Sequence, residues 1–302
     1  MHTGHALLIT LLSLGISHSA WSSADTGHAN SNANSNANSR EVASALGGLK
    51  NKTYELEQAP KIRVASFNIA AGKVSDMTAI AKAIRAMNVD VVALQEVDKL
   101  TARSGRVDQA AELAKLTGMQ AVFGRAIDFD GGEYGLAFLS KYPLHDAAIY
   151  PLPSGQREQR IVFSAKVDVP EFPTPITLFN THLDTKEDPT MRLDQVRELN
   201  DRTIEVRGIK LLFGDMNDVP GSVTWLELSR YWNDIMPDGQ DGRSWPAENA
   251  EIKVDYIFSG NAQRWHLDSL TVPNASGDWN GVHWPAVSDH LPLVAEMRLT
   301  EQ

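Results

Sequence analysis

The sequence predicts an α/β protein in which two packed sheets carry helices on their outer faces. Three observations lead there. Strand-like and helix-like patterns alternate in both halves of the chain. VDVVALQEV (Val89–Val97) and Ile209–Phe213 are near-continuous apolar runs, the mark of strands covered on both faces. No internal boundary rich in Pro and Gly interrupts residues 60–302, so this region reads as one domain.

The elements follow in order. IRVASFNIA (Ile62–Ala70) is rich in branched residues and reads as a strand ending at Asn68. Ser75–Met87 places Met77, Ile80, Ala81 and Ile84 at helical spacing, with Ser75 or Asp76 as cap. After the strand at Val89–Val97, a second helix is expected over Gln109–Leu116. Strands then dominate, over Gln120–Phe123, Gly135–Ser140, Ile161–Val167 and Ile176–Asn180. A long amphipathic helix, Pro189–Val206, leads to the buried strand at Ile209–Phe213. Further strands are expected at Val254–Ser259, Trp265–Val272 and Leu293–Leu299.

Residues 1–24 read as a signal peptide: the apolar run Ala6–Ile16 has the length of a signal core, and small residues follow it. A secreted or periplasmic location is therefore expected, with no transmembrane segment in the mature chain. Asp25–Ser39, with the near-repeat NSNANSNANS, has almost no apolar content, and residues 25–59 are read as a flexible polar linker and N-terminal extension. Residues 60–302 read as the main folded domain, expected to be a monomer.

Composition narrows the chemistry. The 302-residue chain has no cysteine, which removes disulfides, thiol nucleophiles and Cys-ligated metals. With 38 acidic residues against 28 Lys and Arg, its net charge of −10 argues against a broad basic face for nucleic acid. The same balance suits a site where carboxylates hold a cation. No G-x-S-x-G elbow, P-loop or dinucleotide fingerprint is present.

Polar residues close the apolar strands at six places: Asn68, Glu96, His182 with Asp184, Asp215 with Asn217, Asp255, and Asp289 with His290. Strand ends and loops are where a rigid scaffold presents reactive groups. A carboxylate closing a buried strand, as Glu96 does, needs a partner or a cation. His182 and Asp184 lie two apart, as do Asp215 and Asn217, so each pair shares a face of extended chain. Any one of these has an ordinary reading as a turn former or a solvated cluster. Their joint occurrence at strand ends points to a site.

The words SFNIA, ALQEVD, NTHLD, FGDMND, VDYIF and SDHLPL, in this order, resemble the endonuclease/exonuclease/phosphatase superfamily of metal-dependent phosphohydrolases. The resemblance spans about Arg63 to Leu299. It implies a four-layer α/β/β/α sandwich of two packed mixed sheets with outer helices. It also implies roles. Glu96 would be the principal ligand of a hard divalent cation, Mg²⁺ or else Mn²⁺ or Ca²⁺, with Asn68 and Asp289 supporting it. Asp215 would align and deprotonate the attacking water, and Asn217 would orient it. His182 and His290 would bracket the phosphate, and Asp255 would hold His290 in its tautomer.

The substrate is less well specified. The stretch from Leu94 to Ser140 looks most like a bacterial branch related to a glycosylphosphatidylinositol-remodelling domain, which implies a small or lipid-linked phosphodiester. Tyr134-Gly135-Leu136 stands where many relatives carry Tyr-Gly-Asn, so an amide near the phosphate is missing. Asp184 and Arg160 are further substrate-binding candidates, Arg160 as a neutraliser of phosphate. Trp279 and Trp284, close to Asp289 in sequence, are expected to form an aromatic lip. A secreted nuclease is the alternative activity, disfavoured by charge, and a non-catalytic phosphate-binding module is the third.

Overall fold

A computed structural model describes residues 52–302. The expected signal peptide and most of the linker lie outside the described residues. The last part of the linker is paired: Thr53 bridges Glu301, and the Tyr54 N–H donates to Thr300 O at 3.0 Å.

The chain begins with β1 (Lys61–Asn68), α1 (Met77–Met87), β2 (Val91–Lys99) and α2 (Gln109–Thr117). Strands β3 (Gln120–Phe129), β4 (Gly132–Ser140), β5 (Leu144–Pro151), β6 (Ile161–Val167) and β7 (Ile176–His182) follow. Next come α3 (Thr190–Ile204), β8 (Lys210–Asp215), α4 (Val223–Leu228) and β9 (Trp232–Asp234). The last elements are β10 (Asp255–Gly260), β11 (Arg264–Thr271), the short pair β12 (Asp278–Trp279) and β13 (Val282–His283), and β14 (Leu293–Glu301).

Two six-stranded sheets result, ordered β11-β14-β1-β2-β4-β3 and β5-β6-β7-β8-β10-β9. Both are mixed: β1 runs parallel to β2 and β7 to β8, while the other pairs are antiparallel. Their inner faces meet in one apolar layer, where Val64, Val91, Ala93 and Phe138 pack with Phe163, Leu178, Phe213 and Ile257. Outside the first sheet, Phe67, Val92 and Leu94 meet α1 and α2 through Ile80, Ile84 and Leu113. Outside the second, Phe179, Leu212 and Phe258 meet α3 through Val196 and Leu199. Four layers therefore stack as α/β/β/α. Strand β2 is apolar at successive positions because Val91 and Ala93 face the partner sheet while Val92 and Leu94 face helices.

Helix ends follow local chemistry. Asp76 caps α1 by accepting from the Ala79 N–H at 2.8 Å, and Asp108 caps α2 by accepting from Ala111 at 3.0 Å. Both helices close on a left-handed residue, Asn88 and Gly118.

Five elements were not expected, the two-residue strands β12 and β13 among them. Strand β5 is a sheet edge with much of its length exposed, so it lacks an apolar run. Helix α4 and strand β9 are too short to show a period. The strand expected over 120–123 continues to Phe129 and turns back through Asp130-Gly131, both at positive φ, as a tight hairpin requires.

Beneath the end of the sheets where β1 and β7 finish, a polar bridge joins the layers. Gln95 Nε2 donates to Asn180 Oδ1 at 2.8 Å, and Asn180 Nδ2 donates to Leu94 O at 2.9 Å and Ala137 O at 3.2 Å. Buried amides this well partnered fix one register of sheet on sheet. The site above inherits that rigidity.

Candidate active site

Strand register assembles the centre. His182, Asp215 and Asp255 form one lateral row, with Asp215 opposite His182 on one side and Asp255 on the other. On the facing sheet, Asn68 pairs with Gln95. Glu96 follows in a bulge, where the β2–β4 register shifts between Leu94 and Val97 and Glu96 takes a φ of 53°. A bulge re-aims one side chain of a strand, and here it turns a carboxylate toward the row.

Asn68 is the hinge of the contacts. Its Nδ2 donates to Glu96 Oε1 at 3.3 Å and to Asp215 Oδ2 at 3.1 Å. The Nε2 atoms of His182 and His290 each lie 3.6 Å from that same Asp215 oxygen. On its far side, His290 Nδ1 lies 2.9 Å from Asp255 Oδ2, which also accepts from Ser244 Oγ at 2.6 Å. The Asn217 N–H donates to Asp215 Oδ1 at 2.9 Å, and its side-chain amide donates to Leu183 O at 3.0 Å. Thus Asn217 ties the ends of β7 and β8 together and holds the Asp215 carboxylate in one orientation.

Burial separates the protonation states. Burial first, then the charges of Arg160 and His290, pushes His182 well below its ordinary value, so it is neutral at neutral pH. His290 is also opposed by burial, but the charges of Asp255 and Asp215 and the Asp255 hydrogen bond outweigh it and lift it to about 10. Asp215 is raised by burial to about 7, against the opposing charge of His290. A neutral imidazole, an imidazolium and a carboxylate poised near neutrality surround one point.

A family model for the endonuclease/exonuclease/phosphatase family matches residues 65–290. The chain belongs to this family. Endonuclease/exonuclease/phosphatase enzymes are metal-dependent phosphoric ester hydrolases. A sequence comparison with the curated proteins finds no match. Among solved structures, an endonuclease/exonuclease/phosphatase from Beutenbergia cavernae is 24% identical, with a TM-score of 0.63 over 79% of this chain and 72% of that one. One from Bacteroides vulgatus is 18% identical, with a TM-score of 0.64 over 80% and 99%. The human Nocturnin catalytic domain with bound sulfate is 20% identical, with a TM-score of 0.61 over 83% and 97%.

The residues present fit the divalent cation that enzymes of the endonuclease/exonuclease/phosphatase family use. The chain has no cysteine and oxygen donors converge, the donor set of a hard ion. Glu96 Oε2 faces only the exposed Lys73 ammonium, at 3.6 Å among the described residues. The ligand atoms of Asp215, Asp255 and His290 also lie within 4.8 Å of one another, and Asp255 Oδ1 is buried without a hydrogen-bond partner. In that trio, however, Asp255 Oδ2 is already engaged by His290 and Ser244. The Glu96 edge is the freer of the two.

Four expected site residues stand differently. Asp289 is exposed, and its carboxylate meets the Ser288 hydroxyl at 3.5 Å rather than Glu96 or Asn68. Asp184 is buried and held by Arg157 at 2.6 Å, with its carboxylate also accepting from the Lys186 N–H. Both contacts fall on Oδ2, so its charge is paired with Arg157 and it shapes the loop after β7. The aromatic lip does not form. Trp284 is fully buried, edge-on to Phe67 at 5.9 Å and stacked on the partly buried Trp279 at 5.9 Å. The pair covers the helix side of the first sheet because the β12–β13 turn folds it inward. Trp284→Ala is expected to lower unfolding free energy by about 3–5 kcal/mol, the usual cost of emptying a buried Trp site. Urea unfolding measures it, and an unchanged midpoint would contradict this placement.

Arg160 does reach the site. It is buried, pairs with Glu158 at 2.9 Å, and lines a small cleft with Tyr134 and His182. Sequence reasoning missed Gln95, Asn180, Ser244 and Ser288. Ser288 Oγ donates to Asn68 O at 2.7 Å, locking the start of the Asn68 loop. A polar residue inside or beside each apolar motif was the available signal for Gln95, Asn180 and Ser288. Ser244 lies in a loop with no such motif.

Proposed function

We propose that this protein is an exported, divalent-metal-dependent phosphodiesterase acting on small or lipid-linked phosphoesters by in-line attack of water. The observation that carries the reading is the convergence of Asn68, His182 and His290 on Asp215, with Glu96 held beside it. Asp215, ionised near neutral pH, takes a proton from the attacking water. His290, kept cationic by Asp255, donates through Nε2 to a non-bridging phosphoryl oxygen. His182, neutral and buried, donates from the opposite side without adding charge. Asn68 fixes the spacing between Asp215 and Glu96. Glu96, supported by Asn68, would hold Mg²⁺ or a similar hard ion, which would supply charge neutralisation at the phosphoryl group. The apolar run at Ala6–Ile16 supports export.

No helix among the described residues is long and apolar enough to cross a membrane. A net charge of −10 favours small esters over a nucleic-acid strand. With Mg²⁺ present, bis-p-nitrophenyl phosphate is expected to be cleaved with a higher kcat/KM than single- or double-stranded DNA. Faster cleavage of DNA would favour the nuclease.

The pH profile tests the roles. Asp215 accepts a proton only when ionised, so kcat/KM falls as the pH drops below about 7. His290 donates only when protonated, so it falls again as the pH rises past about 10. A bell-shaped curve is expected, and a profile with no descending alkaline limb would rule out His290 as the cationic donor to the phosphoryl group.

A further inference from the structure

A cavity of about 270 Å³ opens directly beside Glu96 and His182. Its walls include Lys73, Arg103, Phe129, Tyr134, Glu158 and Arg160. Every cation among them stands against a carboxylate. Lys73 lies 3.6 Å from Glu96, and Arg160 lies 2.9 Å from Glu158. Arg103 is bidentate to Asp98 through Nε and Nη2, both at 2.8 Å.

Arg103 is also the most rigidly held of the three. Asp98 is fully buried and further bound by Thr101 at 2.7 Å, while the Arg103 N–H donates to Asp130 Oδ2 at 2.6 Å. Its guanidinium lies over the rings of Phe129 and Tyr134, 4.4 and 5.3 Å from their centroids. Asp98 leaves Nη1 unused, and no hydrogen bond among the described residues involves it. On the other wall, Arg160 Nε is buried with no partner.

Charge and size together select an occupant. A wall of ion pairs is no trap for a second anion, because a second phosphate would meet Glu158 as well as the cations. It offers N–H donors and carboxylate acceptors side by side, which vicinal hydroxyls satisfy in both directions at once. The volume falls just below the roughly 300–1,000 Å³ of pockets that take drug-sized ligands, so it suits one ring.

We infer that this cavity is the subsite for the alcohol part of the ester and takes a single polyhydroxylated ring, a cyclitol or a hexose. Arg103 and Glu158 read its hydroxyls. The inference rests on the phosphodiesterase reading and names the substrate class for that site.

The test compares diesters that differ only in the head group. Glycerophosphoinositol and its glucose analogue, against glycerophosphocholine, are expected to show at least a tenfold preference in kcat/KM for a ring. Arg103→Met and Glu158→Gln are each expected to cut that preference fivefold or more. Glu158 is largely exposed, so its variant keeps the test readable should Arg103→Met fail to fold. Whichever ring is preferred separates cyclitol from hexose.

Equal turnover of all three esters would overturn the inference. So would a preference for glycerophosphoinositol 4-phosphate over its parent, which would make the cavity an anion site. Cleavage of bis-p-nitrophenyl phosphate scores the phosphodiesterase reading separately. Titration calorimetry on Asp215→Asn reads the same tenfold preference as affinity without turnover, and equal affinities there would also overturn the inference.

Discussion

Asp215→Asn is expected to lower kcat by about 10²–10⁴-fold, the range removed with a positioned general base. The substitution keeps the shape but only one oxygen, so it retains one of the two contacts, from Asn68 Nδ2 to Oδ2 or from the Asn217 N–H to Oδ1, and gives up the other. Stability should respond in the opposite direction. Burial holds the Asp215 proton up to about 7, above its ordinary value of 3.8. A group raised in the folded state contributes stability that is present below its unfolded value and lost as the pH climbs through its folded one. At mildly alkaline pH the wild-type chain therefore carries a buried charge that the Asn variant lacks, while His290 still has Asp255 for a partner. The variant should be nearly inactive with a Tm equal to or above that of the wild type. A variant that is inactive because it melts early would leave Asp215 as a structural residue. One that turns over at the wild-type rate would remove it from the chemistry.

Much of this architecture is legible in the sequence because it follows from local rules. Strand β2 is apolar at successive positions, a pattern that arises where helices cover one face and a second sheet the other. The site was legible for a related reason: polar groups closing apolar strands stand out against their surroundings, and Asn68, Glu96, His182, Asp215, Asn217, Asp255 and His290 all gather where the strands end.

What stayed hidden depends on tertiary neighbours. His182 and His290 look equivalent as letters. Their protons are held in opposite ways because burial, aided by the charge of Arg160, keeps His182 neutral, while at His290 the charges of Asp255 and Asp215 outweigh burial. Asp184 reads as a substrate-binding candidate, and only the fold shows Arg157, from an earlier loop, paired with it. Trp279 and Trp284 have the composition of a lip, and only the β12–β13 turn shows that they face the core. Asp289 sits in the motif with His290, but successive residues of a tight turn point apart, and Asp289 faces solvent. Strand β5 is an edge, so it needs no continuous apolar face.

The second large effect comes from the cation. Glu96, Asp215 and Asp255 cluster where the negative phosphate would sit, and among the nearby cations Lys73, Arg103 and Arg160 each already face a carboxylate, as His290 faces Asp255. Without a divalent ion the anionic ester meets a carboxylate-rich centre, and the developing charge on the phosphoryl group has little to balance it. Loss of metal should therefore cost more than loss of any single side chain. Lys73 lies against Glu96 and is exposed, so it can swing away when an ion binds. Glu96→Gln should raise the concentration of Mg²⁺ needed for half-maximal rate, and an unchanged requirement would take Glu96 out of the metal site.

The most direct measurement is the rate of bis-p-nitrophenyl phosphate hydrolysis by the full chain, first treated with EDTA and then given Mg²⁺ in excess of the chelator. Near-complete loss with EDTA and recovery with Mg²⁺ is the expected result. A rate that survives EDTA undiminished would contradict the metal-dependent mechanism at its root.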